Sequence, residues 1–168
     1  MARNANIALR SLRNFYNSRI DLVVVLIDRE KLPDCPGDIA QGLVQEVNRL
    51  AREERLNLAV AVVVKDRSYE NWLLADLNAL RQLPARFRVT RRMRQSIEPD
   101  KADHLANPLT VLKDAILNRQ EYNKRQDAKA IAEKLVPENA ARHSRSFRRL
   151  LRIIGHPHYT HQSRMPAV

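Results

Sequence analysis

The chain has 168 residues, 44% of them hydrophobic and 29% charged, which suits one globular domain that buries a core without disulfide or metal staples. Three glycines and 5% aromatic residues argue against an all-β fold and against an aromatic sheet that stacks RNA bases. Thirty Lys and Arg against 19 Asp and Glu leave a net charge of +11, which favours a polyanionic partner, although a basic protein without one stays open.

Residues 3–17 read as an amphipathic helix, with Ala5, Ala8, Leu9, Leu12 and Tyr16 on one face and Arg3, Arg10 and Arg13 elsewhere. Leu22 to Ile27 is a short, continuous, β-branched run. It predicts a strand covered on both faces, as in a parallel sheet. A polar loop from Asp28 to Asp38 is punctuated by Pro33, Pro36 and Gly37. A helix over about 38–55 follows, with Gly37 or Asp38 near its N-cap and Ile39, Leu43, Val47 and Leu50 inward. Leu58 to Val64 is a second buried strand, and the order α-β-α-β makes a parallel crossover the default.

The spacing of Trp72, Leu73, Leu77 and Leu80 predicts a helix over 69–82, ended by Pro84. Residues 85–106 read as irregular and basic. Helices are expected near 108–119, 124–136 and 143–154, the last closed by Gly155 as a C′ glycine. The tail from His156 shows no core pattern and is expected to be mobile. The chain therefore divides into an α/β portion (1–82), a basic loop (83–106), a helical C-terminal part (107–155) and a flexible tail (156–168).

Cys35 is the only cysteine, so no intrachain disulfide is possible, and a lone thiolate cannot build a zinc site. The longest aliphatic run is too short to span a bilayer, and the N-terminus lacks the apolar region of a signal peptide. The expectation is a soluble cytoplasmic α/β protein with no membrane segment.

Two strong strands are too few. A two-stranded parallel sheet has little independent stability and leaves apolar edges unpaired. Either a weaker segment such as Phe87–Thr90 contributes, or a partner chain, a second copy or a missing N-terminal portion completes the sheet; the external completion is favoured.

Chemistry is sought beyond the carboxyl ends of the strands, where α/β sheets bind ligands. Asp28 follows the first strand and Glu30 lies two residues on, on the same side of an extended chain. Two such carboxylates can share Mg²⁺ or Mn²⁺, although acid pairs after strands are common and spacing alone favours a loop cap. Asp66 and Glu70 follow the second strand on the same rim and could join them. For Glu70 a helix-terminus charge is at least as good a reading. Trp72 reads as core and Asp76 as a surface charge. Arg86, Arg88, Arg91, Arg92 and Arg94 crowd the middle loop, with Arg81 and Lys101 nearby. Arg142, Arg145, Arg148, Arg149 and Arg152 stud the last helix. Guanidinium groups suit bidentate phosphate contacts, so Arg86, Arg88, Arg91, Arg92, Arg94, Arg145, Arg148, Arg149 and Arg152 are the candidate nucleic-acid-binding set. A solvated face or a subunit interface is the competing reading.

The runs "VVVLIDREKLPDC" and "NLAVAVVVKDRSYENWLLADLNAL", then "YNKRQDAKAIAEKL" and "SRSFRRLLRII", resemble a bacterial family, domain-of-unknown-function family 4276, which is TOPRIM-like. The likeness covers about Asp21 to Ile154, and "ENWLLAD" is its most distinctive piece. It implies a partial TOPRIM-like parallel sheet flanked by helices, with a helical C-terminal part. TOPRIM domains, found in topoisomerases, primases and OLD-type nucleases, hold Mg²⁺ with a glutamate after the first strand and an Asp-x-Asp after a later one. Asp28-Arg29-Glu30 matches the second motif with Glu in place of the second Asp, and Glu70 matches the acidic residue before the tryptophan. The first strand with its Glu-Gly has no counterpart, which implies that the first βαβ portion is absent. The resemblance thus implies a metal-dependent, nuclease-like protein. Asp28, Glu30 and Glu70 would be catalytic, Asp28, Glu30 and Asp66 would bind metal, and an ATPase partner in an anti-phage or DNA-processing system would accompany it. The alternative is a non-catalytic, basic nucleic-acid-binding or assembly subunit.

Overall fold

A computed structural model describes residues 2–15, 20–29, 33–65, 67–117 and 120–159. The fold is mixed α/β, with a parallel two-stranded sheet flanked by helices. It divides into two compact units, Met1–Lys65 and Asp66–Val168.

The first unit runs α1 (Ala2–Phe15), β1 (Val23–Asp28), α2 (Pro36–Glu53) and β2 (Val60–Lys65). In α1 the spacing of small and aliphatic residues does what it predicts: Ala5, Ala8, Leu9 and Leu12 are buried. Tyr16 lies outside the described residues. Helix α2 starts earlier than expected, with Cys35 as N-cap and Pro36 in its first turn. Proline fits there because its φ is already helical and the N–H it lacks would have had no partner. The helix ends where Arg55 takes a left-handed backbone (φ 57) and Leu56 N–H bonds back to Ala51 O at 2.8 Å.

The strands pair in parallel from Val23↔Val60 to Asp28↔Lys65. Val23, Val25 and Ile27 share a face with Val60, Val62 and Val64, packed on Ala5, Ala8 and Leu12 of α1 and on Ile39, Leu43 and Val47 of α2. The expectation that both strands are covered on both faces holds for Val62–Val64 and fails for β1, where Leu26 is 45% exposed. A cavity of about 260 Å³ between α1 and β1, lined by Ile7, Phe15, Val24 and Leu26 among others, leaves that strand uncovered. Val23 N–H and Arg29 N–H reach Ala59 O and Lys65 O, both at 2.9 Å. In a parallel ladder this turns the peptide groups of Val24, Leu26 and Asp28 to the free edge. Among the described residues no third strand pairs there. Phe87, from the suggested weak strand, makes only an isolated antiparallel bridge with Ile116, inside the second unit.

The second unit is helical. Two helices, α3 (Tyr69–Ala75) and α4 (Leu77–Arg81), replace the single helix expected over 69–82. The chain breaks at Asp76 (φ −114, ψ 88), whose side chain accepts from Asn78 N–H. These helices pack on others of the second unit, α3 on α6 and α8 and α4 on α7. The break between units therefore falls at residue 65, whereas the sequence reading divided the chain at 82. The stretch expected to be irregular contains α5 (Arg91–Ile97) and a 3₁₀ turn, Ala102–His104. Thr90 caps α5 by accepting from Met93 N–H at 3.2 Å, and Met93 and Ile97, one turn apart, are buried.

The remaining helices are α6 (Pro108–Ala115), α7 (Gln126–Lys134), α8 (Pro137–His143) and α9 (Arg145–Ile153). Pro108 and Pro137 open α6 and α8, and Ser144 caps α9 by accepting from Phe147 N–H at 3.1 Å. Gly155 (φ 77) closes α9 as expected, the left-handed turn letting His156 N–H reach Leu151 O at 2.9 Å. The described start of the tail is packed: Tyr159 is 4% exposed, its ring 5.3 Å from that of His156. The rest of the tail lies outside the described residues. Among the described residues no helix is long and apolar enough to cross a membrane.

Candidate nucleic-acid interface

Asp28 sits at the carboxyl end of β1, with its Oδ1 2.8 Å from the Lys65 ammonium at the end of β2. The register produces this pair, since the two residues are directly opposite. Glu30 and Asp66, the other expected metal ligands, lie outside the described residues. Among the described residues no group of three or more His, Cys, Asp or Glu side chains could hold a metal ion. Asp28 beside an ammonium does not by itself make a Mg²⁺ or Mn²⁺ site, which needs several oxygen donors.

Glu70 lies in the first turn of α3 and is buried, with Lys124 Nζ 3.2 Å from its carboxylate. Burial pushes its carboxyl up. Bonds from its own N–H, the Ser68 hydroxyl and Lys124, with the lysine charge, outweigh that and hold it below the usual glutamate range. Burial and then the Glu70 charge push the Tyr69 and Tyr122 phenols up, and the Tyr122 hydroxyl is buried with no hydrogen-bond partner among the described residues. The geometry is that of a stabilised anion in a helix first turn.

The rest of the "ENWLLAD" run is also committed to structure. Asn71 donates to Ala102 O at 2.7 Å and Leu105 O at 3.0 Å, fastening the 3₁₀ turn to α3. Trp72 is core, as read from its spacing, and its indole N–H donates to Ser146 Oγ at 2.7 Å. Ser146 and Ser144 both donate to the buried Asp103, each at 2.8 Å. Asp76, read as a surface charge, is 1% exposed and accepts from Asn78 N–H at 3.0 Å and Val136 N–H at 2.9 Å. The motif ties together segments 31 to 74 residues away in sequence, a job that helix periodicity does not reveal.

The arginines divide in two. Arg86 is committed: its guanidinium makes a two-pronged pair with Asp127 at 2.9 and 2.8 Å and also bonds Gln120 and Glu121 O. Arg148 is 2% exposed, paired with Asp100 at 3.0 Å through two nitrogens and bonded to Ala141 O at 2.5 Å. Both were in the expected nucleic-acid set, and neither guanidinium is free for phosphate. Arg149 is half-buried, with its Nε shielded and without a hydrogen-bond partner among the described residues. Arg88, Arg91, Arg92, Arg94, Arg145 and Arg152 are exposed and have no carboxylate partner among the described residues. The α9 pattern explains the sorting: Phe147 and Leu151 mark the inner face, and Arg148, three residues before Leu151, points with them.

One feature was missed by sequence reasoning. A cavity of about 280 Å³ within the second unit is lined by Asp76, Asn78, Arg81, Arg94, Glu98, Asn139, Arg142 and His143, with Ala75 and Leu77. Its arginines come from α4, α5 and α8, which no local spacing relates.

The family model described as Domain of unknown function (DUF4276) matches residues 3–154. The chain belongs to that family. No curated protein and no solved structure matches it. Membership in DUF4276 accounts for the resemblance carried by "ENWLLAD" and the C-terminal helices and assigns no activity.

Proposed function

We propose that this DUF4276 protein binds nucleic acid through its phosphate backbone. One observation carries the reading: Arg88, Arg91, Arg92 and Arg94 around α5, with Arg145 and Arg152 on α9, are exposed and lack carboxylate partners among the described residues. Exposed arginines are usually paired or scattered, and these add to a chain with a net charge of +11. Guanidinium groups in such number favour a polyanion and read no sequence. Fluorescence anisotropy with short DNA and RNA duplexes across a salt series tests this. Affinity should fall steeply with salt, and each of Arg91→Ala, Arg145→Ala and Arg152→Ala should reduce the salt slope by about one contact. Absence of binding at low salt, or slopes unchanged in all three variants, overturns it.

A second reading, a TOPRIM-like metal-dependent nuclease, draws on the position of Asp28 beyond a parallel strand, where α/β sheets bind ligands. Plasmid nicking with Mg²⁺ or Mn²⁺ that disappears in Asp28→Ala supports it. Nicking unchanged in both Asp28→Ala and Glu30→Ala removes these carboxylates from any such chemistry.

A further inference from the structure

We infer that the 280 Å³ cavity among α4, α5 and α8 is a binding site for the phosphate monoester of a single nucleotide. Three arginines, Arg81, Arg94 and Arg142, line one small space. Arg94 and Arg142 have no carboxylate or hydrogen-bond partner for their side chains among the described residues, and Arg81 makes one side-chain bond, to Asn78 Oδ1 at 2.8 Å. Cations around one small space repel, and an anion with several acceptor oxygens relieves the repulsion while accepting their donors. Of the two carboxylates at the cavity, Asp76 already accepts from backbone N–H groups through both oxygens. Glu98 has no side-chain partner among the described residues and remains available to accept from a hydroxyl or amino group on the ligand. His143 also lines it, and its Nδ1 is buried without a hydrogen-bond partner among the described residues.

The lining therefore offers fork-shaped cations for a phosphate, with Asn78, Asn139, Glu98 and His143 for the polar groups of an attached nucleoside. The volume, about 280 Å³, falls just below the roughly 300–1,000 Å³ usual for ligand pockets, which suits a small ligand and not a run of nucleotides. The site shares Arg94 with the proposed backbone interface, whereas Arg81 and Arg142 belong to the cavity and Arg145 and Arg152 of α9 do not line it. Two sources share the chemistry: a free nucleoside monophosphate and the 5′-phosphorylated end of a strand.

Titration calorimetry of the full chain with AMP at low ionic strength is the test. Saturable single-site binding is expected. Arg94→Ala and Arg142→Ala should each weaken it by about tenfold or more, because each removes a charge-assisted fork. Arg142→Lys should fall between, and Arg152→Ala on α9 should bind like the parent. Circular dichroism of each variant verifies that it is folded. Displacement of AMP by a 5′-phosphorylated oligonucleotide but not by its 5′-hydroxyl twin identifies a strand end as the natural ligand. Displacement by neither identifies the free nucleotide. Lack of saturable binding of both AMP and the phosphorylated oligonucleotide overturns the inference. So does AMP binding unchanged in Arg94→Ala and Arg142→Ala, or equal displacement by the two oligonucleotides.

Discussion

The two units are built on different principles. Among the described residues every buried side chain of the first unit is apolar, drawn from Ala, Val, Leu and Ile. The second unit also buries Glu70, Asn71, Asp76, Asp103, Asp127, Ser144, Ser146 and Arg148. Burial of area stabilises the first, and it should tolerate reshuffling of volume. The second adds directed polar pairs, in which losing one partner leaves the other desolvated and unpaired. Equal-sized changes should therefore have unequal effects in the two units.

The largest effect is expected at Asp103. Its oxygens accept from the hydroxyls of Ser144 and Ser146 and from Ser146 N–H at 2.8–2.9 Å, and Ser146 in turn receives the Trp72 indole. Asp103→Ala should cost about 4 kcal/mol, since it strands several buried donors at once. Asp103→Asn, which keeps an acceptor oxygen, should cost less. Trp72 is the only tryptophan and lies 5.3 Å edge-on to Phe147, so urea unfolding followed by its fluorescence reads this unit directly. In the first unit, Leu43→Ala opens a cavity at a residue 1% exposed and should cost about 3 kcal/mol, while Leu43→Met should cost less than about 1.5 kcal/mol, by far-ultraviolet circular dichroism. If Asp103→Asn proves as harmful as Asp103→Ala while Leu43→Met is also severe, the contrast between the units fails.

The same contrast explains what was legible in the sequence. The aliphatic runs of β1 and β2 read correctly as strands, although β1 is not covered on both faces, and the faces of α1 and α2 read correctly because apolar spacing is a local signal. Asp76 was misread because its acceptor role joins it to Val136, 60 residues on. Arg86 and Arg148 were misassigned for the same reason, their carboxylates lying 41 and 48 residues away. For Arg148 a local clue existed: it shares a helix face with Leu151, so inward facing followed from the spacing already used for the core. Thr90, Met93 and Ile97 likewise mark a capped helix in a stretch that its basic charge disguised as loop. The arginine cavity carried no such mark, because α4, α5 and α8 meet only in three dimensions.

Acid should next separate the units. Burial pushes the Asp127 carboxyl up, but the bonds from Arg86 and Asn123 N–H, with the arginine charge, hold it below the ordinary 3.8; Glu70 is held below 4.5. A carboxylate with a depressed folded value contributes stability that is full above the ordinary value and is lost as pH falls through the folded one. The midpoint of thermal unfolding should therefore drop as pH falls below 4.5 and then 3.8. An Arg86→Ala variant should show a shallower decline. In the first unit Glu46 and Glu54 are also depressed, by bonds from Arg49 and Arg13, but these pairs are exposed. Salt should erase their part of the acid response and leave that of Asp127 and Glu70.

The smallest effect is expected at Asp28, the residue with the strongest functional suggestion in the first unit. Its carboxylate is 36% exposed and its only described ion pair is with Lys65. Although Lys65 is mostly buried, the Asp28 carboxylate is open to solvent and the pair contributes about 1 kcal/mol, so Asp28→Asn should barely move the urea midpoint at neutral pH. That smallness makes the variant informative. A residue whose loss leaves the fold intact can be tested for chemistry without confusing instability with lost activity. If Asp28→Asn instead raises stability measurably, Asp28 was held against an unfavourable field, as happens where carboxylates gather to bind a cation. Added Mg²⁺ should then stabilise the parent chain and not the variant. If stability is unchanged and Mg²⁺ shifts neither protein, Asp28 is a strand-end partner of Lys65 and nothing more.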